Sequence, residues 1–384
     1  MKKNLLAALL GFAIFGLMLC GLEAYFRLFV PVKLRSFEIY PVPYVHSPES
    51  TLSPELIQEI RQDPVSSWNN LRPIEGAEEF YLEGLDDSEK GLVSLSFLNP
   101  EFSKSRRFRS RVSSKGGELL YDVQYTFDDR GRRITPIVPG AQKNILTFGD
   151  SFTLGEGVND EQSFPYLLGT YRPLTQVFNL GIGGGSPNET LYEVTKMQER
   201  RLPDLAGQDV TVLYTFMSDH MERLFCRSIC LTPRGQWRLV KPFYTLRDGK
   251  PSLEGSFSDR KMLNLFYDWF NKSAVVQATG IVLPPRFTQE HFDFFATVMV
   301  EIRDVLKVKY PGLKFYVVMY PGDSLPFAND LTSACRKRGL NVLNYAYVNT
   351  DSLSQGRKKI AGDGHPSPIT QMIFARLLNR DLPD

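Results

Sequence analysis

Two short stretches hold the residues from which nucleophilic chemistry could be assembled. The first is Gly149-Asp150-Ser151-Phe152-Thr153-Leu154-Gly155, a serine in a sharp turn directly behind a short apolar run. A serine hydroxyl is inert at its own pKa. It reacts when a histidine within hydrogen-bond reach takes its proton and an acid orients that histidine. The chain has four histidines: His46, His220, His291 and His365. His46 sits in a Pro- and Ser-rich stretch and His291 on an amphipathic helix, so both read as surface or packing residues. His365 lies in the second stretch, Ala361-Gly362-Asp363-Gly364-His365-Pro366-Ser367, just ahead of a terminal helix through Met372, Phe374, Ala375 and Leu378. Asp363, two residues before the histidine, can reach back to its ring nitrogen and fix the tautomer. The pattern is that of a nucleophile, a base and an orienting acid.

Other chemistries find less support. The four cysteines include the pair in Cys-Arg-Ser-Ile-Cys, Cys226 to Cys230, but no second Cys/His pair completes a tetrahedral zinc site. We expect no metal and no cofactor. In an oxidising compartment Cys226 and Cys230 could instead close a small loop. The formal net charge of +2 gives no reason to expect nucleic acid as a partner. The one basic run, Lys104 to Lys115, reads as a solvated loop or strand face, with a phosphate-bearing surface as the alternative.

These residues need a scaffold, and the periodicity supplies one. Short apolar runs at Ile145 to Phe148, Val177 to Leu180, Val210 to Met217, Phe315 to Tyr320 and Val342 to Tyr345 read as buried strands. Between them, Phe292, Phe295, Met299, Ile302 and Leu306 recur at the spacing of one long amphipathic helix. Strands alternating with helices imply a parallel α/β sheet covered on both faces, with chemistry beyond the carboxyl ends of the strands. Ser151 follows the first such strand. Residues 30–140 lack sustained helical periodicity and read as a stalk plus a small β-rich accessory region, with a strand at Leu119 to Phe127 ending in the turn Asp128-Asp129-Arg130-Gly131. The expected division is an anchor over 1–29, the accessory region over 30–140 and the catalytic domain over 141–384.

Asn4 to Leu22 is an uncharged, mostly apolar run of about nineteen residues, about 28 Å as a helix, close to the hydrocarbon thickness of a bilayer. Lys2 and Lys3 precede it, which keeps the N-terminus cytoplasmic and sends the rest of the chain across. We therefore expect a single-pass membrane protein with its catalytic domain on the extracytoplasmic side. A cleaved signal peptide is the alternative, but no small-x-small site follows, and Glu23, Tyr25, Phe26 and Arg27 read as an interfacial extension of the helix. Leu19 ahead of Cys20 argues against lipidation.

Together the stretches resemble the SGNH/GDSL hydrolase family from about Lys143 to the C-terminus. The string TFGDSFTLGEGV is similar to the family's first block and GDGHPS to its last, which places Ser151 at the nucleophile and His365 at the base. Asn179-Leu180-Gly181-Ile182-Gly183-Gly184 is similar to the second block, which assigns Gly184 as a backbone donor of the oxyanion hole beside Ser151. Such preorganised donors can contribute ~3–4 kcal/mol each. The resemblance implies a three-layer α/β/α, flavodoxin-like domain. A second Gly322-Asp323-Ser324 also follows a strand, but it leaves no room for a second block before His365. Two departures stand out. In the third block Ser218, within Thr215-Phe216-Met217-Ser218-Asp219-His220, occupies the position of the family's asparagine donor. The family's acid often lies three residues before the histidine, which here is Gly362, leaving Asp363. Asp219 and His220 then fall at the site's edge as possible substrate-binding residues, with His220 as a replacement for the missing donor or a purely structural pair as the alternatives.

The resemblance implies acyl-ester chemistry, an esterase or deacetylase acting on an acylated envelope or extracellular glycan. One alternative is an O-acyltransferase of a surface polysaccharide, which would need a multi-spanning membrane partner to bring acyl groups across. Another is a non-catalytic glycan-binding or assembly protein with a decayed site, which Ser218 favours and the Ser151, Asp363 and His365 set disfavours. No exposed apolar lid segment is expected. The insertion from Arg223 to Leu263 offers Trp237, Phe243 and Tyr244 as platforms for sugar rings or as ordinary core.

Overall fold

A computed structural model describes residues 16–28, 53–62, 78–81, 106–113, 117–196, 201–232, 235–322, 325–354 and 356–383. His46, Asp323 and Ser324 lie outside them.

The strands are β1 (Glu78–Tyr81), β2 (Arg106–Ser113), β3 (Leu119–Phe127), β4 (Lys143–Phe148), β5 (Thr175–Asn179), β6 (Asp209–Phe216), β7 (Pro242–Arg247), β8 (Lys250–Ser256), β9 (Lys314–Met319) and β10 (Asn341–Asn344). Five of them form one parallel sheet in the order β10-β9-β6-β4-β5. Numbered by appearance from the β5 edge, the order is 2-1-3-4-5, and the winding reverses between β4 and β6. A crevice opens at such a reversal, beyond the carboxyl ends of the two strands. Ser151 follows β4 and Ser218 follows β6, so both stand there.

Alternation along the strands splits the core into two layers. Leu146, Phe148, Tyr214, Phe216, Val317 and Met319 face one side, with Phe295, Met299 and Ile302. Those three belong to the long helix Gln289–Lys309, whose five expected stripe residues are all buried. Ile145, Val177, Leu213 and Val318 face the other side, with Leu167 and Leu168 of the helix Phe164–Tyr171 and with Met372, Phe374 and Leu378 of the terminal helix Pro368–Asp381. The sheet is thus covered on both faces.

A second sheet, β1-β2-β3, pairs β2 and β3 antiparallel. Within the basic run, Arg109 forms a two-pronged ion pair with Asp122, at 2.7 Å for both nitrogens. β3 occupies the residues expected of it, and its buried Tyr121, Val123, Tyr125 and Phe127 pack against Leu154, Val158 and Ile360. The accessory sheet therefore rests on the segments that carry the nucleophile and the histidine. Arg133 reinforces the junction from within the core. Its guanidinium donates to Leu154 O at 2.8 Å, Gly155 O at 2.5 Å and Val158 O at 2.6 Å, and pairs with Asp160 at 2.9 Å. Three carbonyls at the end of the nucleophile turn thus find their donors in a residue from before position 140.

Cys226 and Cys230 form a disulfide, with Cα atoms 5.4 Å apart. With Phe257 they make a small core beneath the β7–β8 hairpin. At the N-terminus residues 16–28 are helical. The start of the expected span Asn4 to Leu22 lies outside the described residues, and among the described residues no helix is long and apolar enough to cross a membrane.

Candidate active site

The strand β4 ends at Phe148, and the chain turns at once into a one-turn helix, Ser151–Leu154, whose N-cap is Asp150. Asp150 Oδ1 accepts from the Phe152 amide at 3.0 Å, which fixes the turn and leaves Ser151 as the first helical residue. Its amide is one of those a helix leaves without an intrahelical partner. On the far side of the crevice, the 361–367 turn is held by Ile360 N donating to His365 O at 2.8 Å and Ser367 N donating to Lys358 O at 3.0 Å. Gln371, fully buried in the terminal helix, joins the two: Phe164 N donates to its Oε1 at 2.9 Å and its Nε2 donates to Phe152 O at 3.0 Å.

These restraints bring Ser151 Oγ to 3.0 Å from His365 Nε2. Asp363 Oδ1 bonds to His365 Nδ1 on the opposite edge of the ring and accepts from the His365 amide at 3.1 Å. Gly362, where the family often has its acid, adopts a left-handed φ of 77°, and a side chain there would run into Leu120. The acid that faces the ring is Asp363. The three residues singled out in the sequence are therefore adjacent in space.

The chain is similar in structure to lipolytic proteins of the G-D-S-L family. One, from Veillonella parvula DSM 2008, is 12% identical over 62% of this chain and 98% of that chain, with a TM-score of 0.36. Another, a putative one from Desulfitobacterium hafniense DCB-2, is 15% identical over 62% of this chain and 99% of that chain, with a TM-score of 0.31. A carbohydrate esterase family 2 enzyme with a carbohydrate-binding domain, from Corynascus thermopiles, is 11% identical over 70% of this chain and 73% of that chain, with a TM-score of 0.35. No family model and no curated protein matches the sequence.

A second carboxylate, unremarked in the sequence, changes the electrostatics. Glu156 Oε2 lies 3.5 Å from His365 Nε2, on the Ser151 side of the ring. Burial opposes charge on His365, but Glu156, Asp363 and Asp150 together outweigh it and raise the ring to about 9. At neutral pH the resting ring is then mostly imidazolium. The signal for Glu156 was the acid enclosed by two glycines in Gly155-Glu156-Gly157, immediately after the nucleophile helix.

Of the expected oxyanion donors, Gly184 sits in the turn after β5 with a φ of 64°, a conformation that favours glycine. That turn is tied to the nucleophile strand, since Ile182 N donates to Gly149 O at 3.1 Å and Gly185 N to Ile182 O at 2.8 Å. Asn179 braces it from below, accepting from Gly181 N at 3.0 Å. Ser218 is the N-cap of the helix Asp219–Phe225, at the end of β6.

Asp219 and His220, expected at the substrate edge, are engaged within the protein. His220 is fully enclosed, with Nδ1 3.0 Å from the Tyr214 hydroxyl and Nε2 3.4 Å from Asp150 Oδ2. Asp219 accepts from Arg223 Nε at 2.7 Å and Arg238 Nη2 at 3.0 Å, and Arg223 Nη1 continues to Asp150 Oδ2 at 2.9 Å. Burial works against the Asp219 charge, yet Arg238 and Arg223 hold its carboxyl well below the usual range. The two residues support the floor of the nucleophile turn through Asp150.

The insertion's aromatics divide similarly. Tyr244 is part of the main core, and Phe243 packs on Phe257 with ring centroids 5.3 Å apart. Trp237 remains half-buried beside three cations, Arg223, Arg238 and Lys241, at 5.6, 4.7 and 4.9 Å from its ring centroid. The helix Lys261–Asn271 turns Met262, Leu265, Phe266 and Trp269 outward.

Proposed function

We propose that the protein is a serine esterase that deacylates an envelope or extracellular glycan, held at the membrane by its N-terminal segment with the catalytic domain outside the cytoplasm. The observation that carries the chemistry is the 3.0 Å approach of Ser151 Oγ to His365 Nε2 with Asp363 behind the ring. With His365 neutral, Ser151 attacks the acyl carbonyl as Nε2 takes its proton. The amides of Ser151 and Gly184 hold the oxyanion, His365 returns the proton to the leaving alcohol, and water resolves the acyl-enzyme through the same base.

Two features support the setting. Lys2 and Lys3 precede the apolar run Asn4 to Leu22, and the Cys226–Cys230 disulfide suits an oxidising compartment. A small cleft of mixed lining, with Pro321 and Pro366 beside Thr350, Lys358, Lys359 and Thr370, adjoins Phe152 and Tyr320. The test is hydrolysis of a chromogenic acetate ester by the full chain in detergent, beside Ser151→Ala. Hydrolysis that disappears with Ser151 supports the reading; its absence in both overturns it. Acyl transfer to an added oligosaccharide in excess of hydrolysis would reassign the protein as a transferase.

A further inference from the structure

The helix Lys261–Asn271 is built inside out. Its inward face is polar: Asn264 Nδ2 donates to Phe257 O at 2.8 Å, Asn271 Nδ2 donates to Ser228 O at 2.6 Å, and Tyr267 is buried between them in sequence. Its outward face carries Met262, Leu265, Phe266 and Trp269 at the three-to-four spacing of one helical stripe. Met262 is 80% and Trp269 70% exposed, so among the described residues nothing covers this stripe. An amphipathic helix packed by its polar side requires an apolar surround on the other.

The chain's own N-terminus indicates what that surround is. The helix over residues 16–28 exposes Leu17, Met18, Leu22, Tyr25 and Leu28. It meets the domain at a polar clasp immediately after the inside-out helix. Glu23 accepts from Ser273 Oγ and Ala274 N, both at 2.6 Å, and from Val275 N at 3.3 Å, while Arg27 Nη2 donates to Lys272 O at 3.2 Å. The end of the apolar N-terminal helix and the end of the apolar stripe are thus fixed to adjoining residues. A medium that receives the first adjoins the second.

We infer that the stripe Met262, Leu265, Phe266 and Trp269 inserts at the headgroup–acyl boundary of the extracytoplasmic leaflet, so that the domain lies on the membrane at two points and its orientation is set. This rests on the anchor reading given under Proposed function. Trp269 and Tyr25 then sit at interfacial depth, where amphipathic rings concentrate, and the Glu23 clasp marks the level at which the chain leaves the bilayer.

The test uses the full chain reconstituted into phosphatidylcholine vesicles with brominated acyl chains, comparing tryptophan emission with that of Trp269→Phe. Bromolipid quenching that is present in the parent and lost in Trp269→Phe supports the inference. Its loss in Met262→Glu/Phe266→Glu, with Ser151-dependent ester hydrolysis unchanged, supports it independently. Equal quenching in parent and Trp269→Phe overturns it. So does a Trp269 emission shielded from both bromolipid and aqueous iodide, which would assign the stripe to a protein cover, either a lid, a second copy or a partner. An alkaline wash separates the two readings: a chain that leaves the vesicles overturns the anchor, whereas a chain that stays with Trp269 unquenched overturns the inserted stripe alone.

Discussion

At the reacting centre two carboxylates face one imidazole, Asp363 on Nδ1 and Glu156 3.5 Å from Nε2. Because the ring is raised to about 9, the base form is scarce at pH 7, and kcat/KM for the chromogenic ester should climb with pH until about 9. Glu156→Gln removes one of the attractions that hold the imidazolium, so its profile should shift to lower pH and its activity at pH 7 should exceed the parent's. The sign for stability is opposite. A raised histidine stabilises the fold fully below its unfolded value near 6.5, and that contribution is lost as pH rises through about 9. Ser151→Ala should lower kcat by roughly 10⁶-fold, and Asp363→Asn, which misdirects the tautomer, by about 10⁴-fold. Single-turnover kinetics at matched folding checks both. Ser151, Asp363 and His365 were legible because their chemistry is carried by residue type and local order. Glu156 was not, since its effect depends on a ring that arrives from the far end of the chain.

Among the elements, the five parallel strands and the long helix announced themselves through periodicity, and β3 ended where its turn residues placed it. The elements that support the site did not. Arg133 belongs to the run Arg130-Gly131-Arg132-Arg133, and nothing local tells which of three arginines is enclosed; only the carbonyls of Leu154, Gly155 and Val158 make that choice. Arg133→Met should cost about 3–5 kcal/mol, because Asp160 and those carbonyls would stay buried without a donor. Urea denaturation followed by ester hydrolysis should show the lower midpoint. The inside-out helix was hidden for a related reason: periodicity reveals an apolar stripe but not the direction it faces. Asp219 and His220 lie beside the third strand, but that adjacency does not reveal their engagement by Arg223, Arg238, Tyr214 and Asp150.

Across the whole molecule, the sheet order sets the crevice between β4 and β6, and everything else braces its rim. The insertion from Arg223 onward supplies Arg223 and Arg238 to the floor and closes on itself through Cys226–Cys230. That loop is short, so the bond should contribute roughly 2 kcal/mol through the unfolded chain. Dithiothreitol, or Cys226→Ser/Cys230→Ser, should lower the thermal midpoint while leaving the Ser151 reaction intact, as differential scanning calorimetry and the ester assay would show.

The seating of β3 also bears on the order in which the molecule can assemble. Tyr121, Val123 and Tyr125 are made before the nucleophile, whereas Ile360, one of the residues that cover them, follows far later in the chain. Leu154 and Val158 can cover part of the strand once the nucleophile segment is made, but the cover is complete only when the turn carrying Ile360 arrives. His365 travels on that same turn. Completion of the accessory core and arming of the serine thus become one late event, and a chain whose synthesis is cut short carries Ser151 without ever making it reactive.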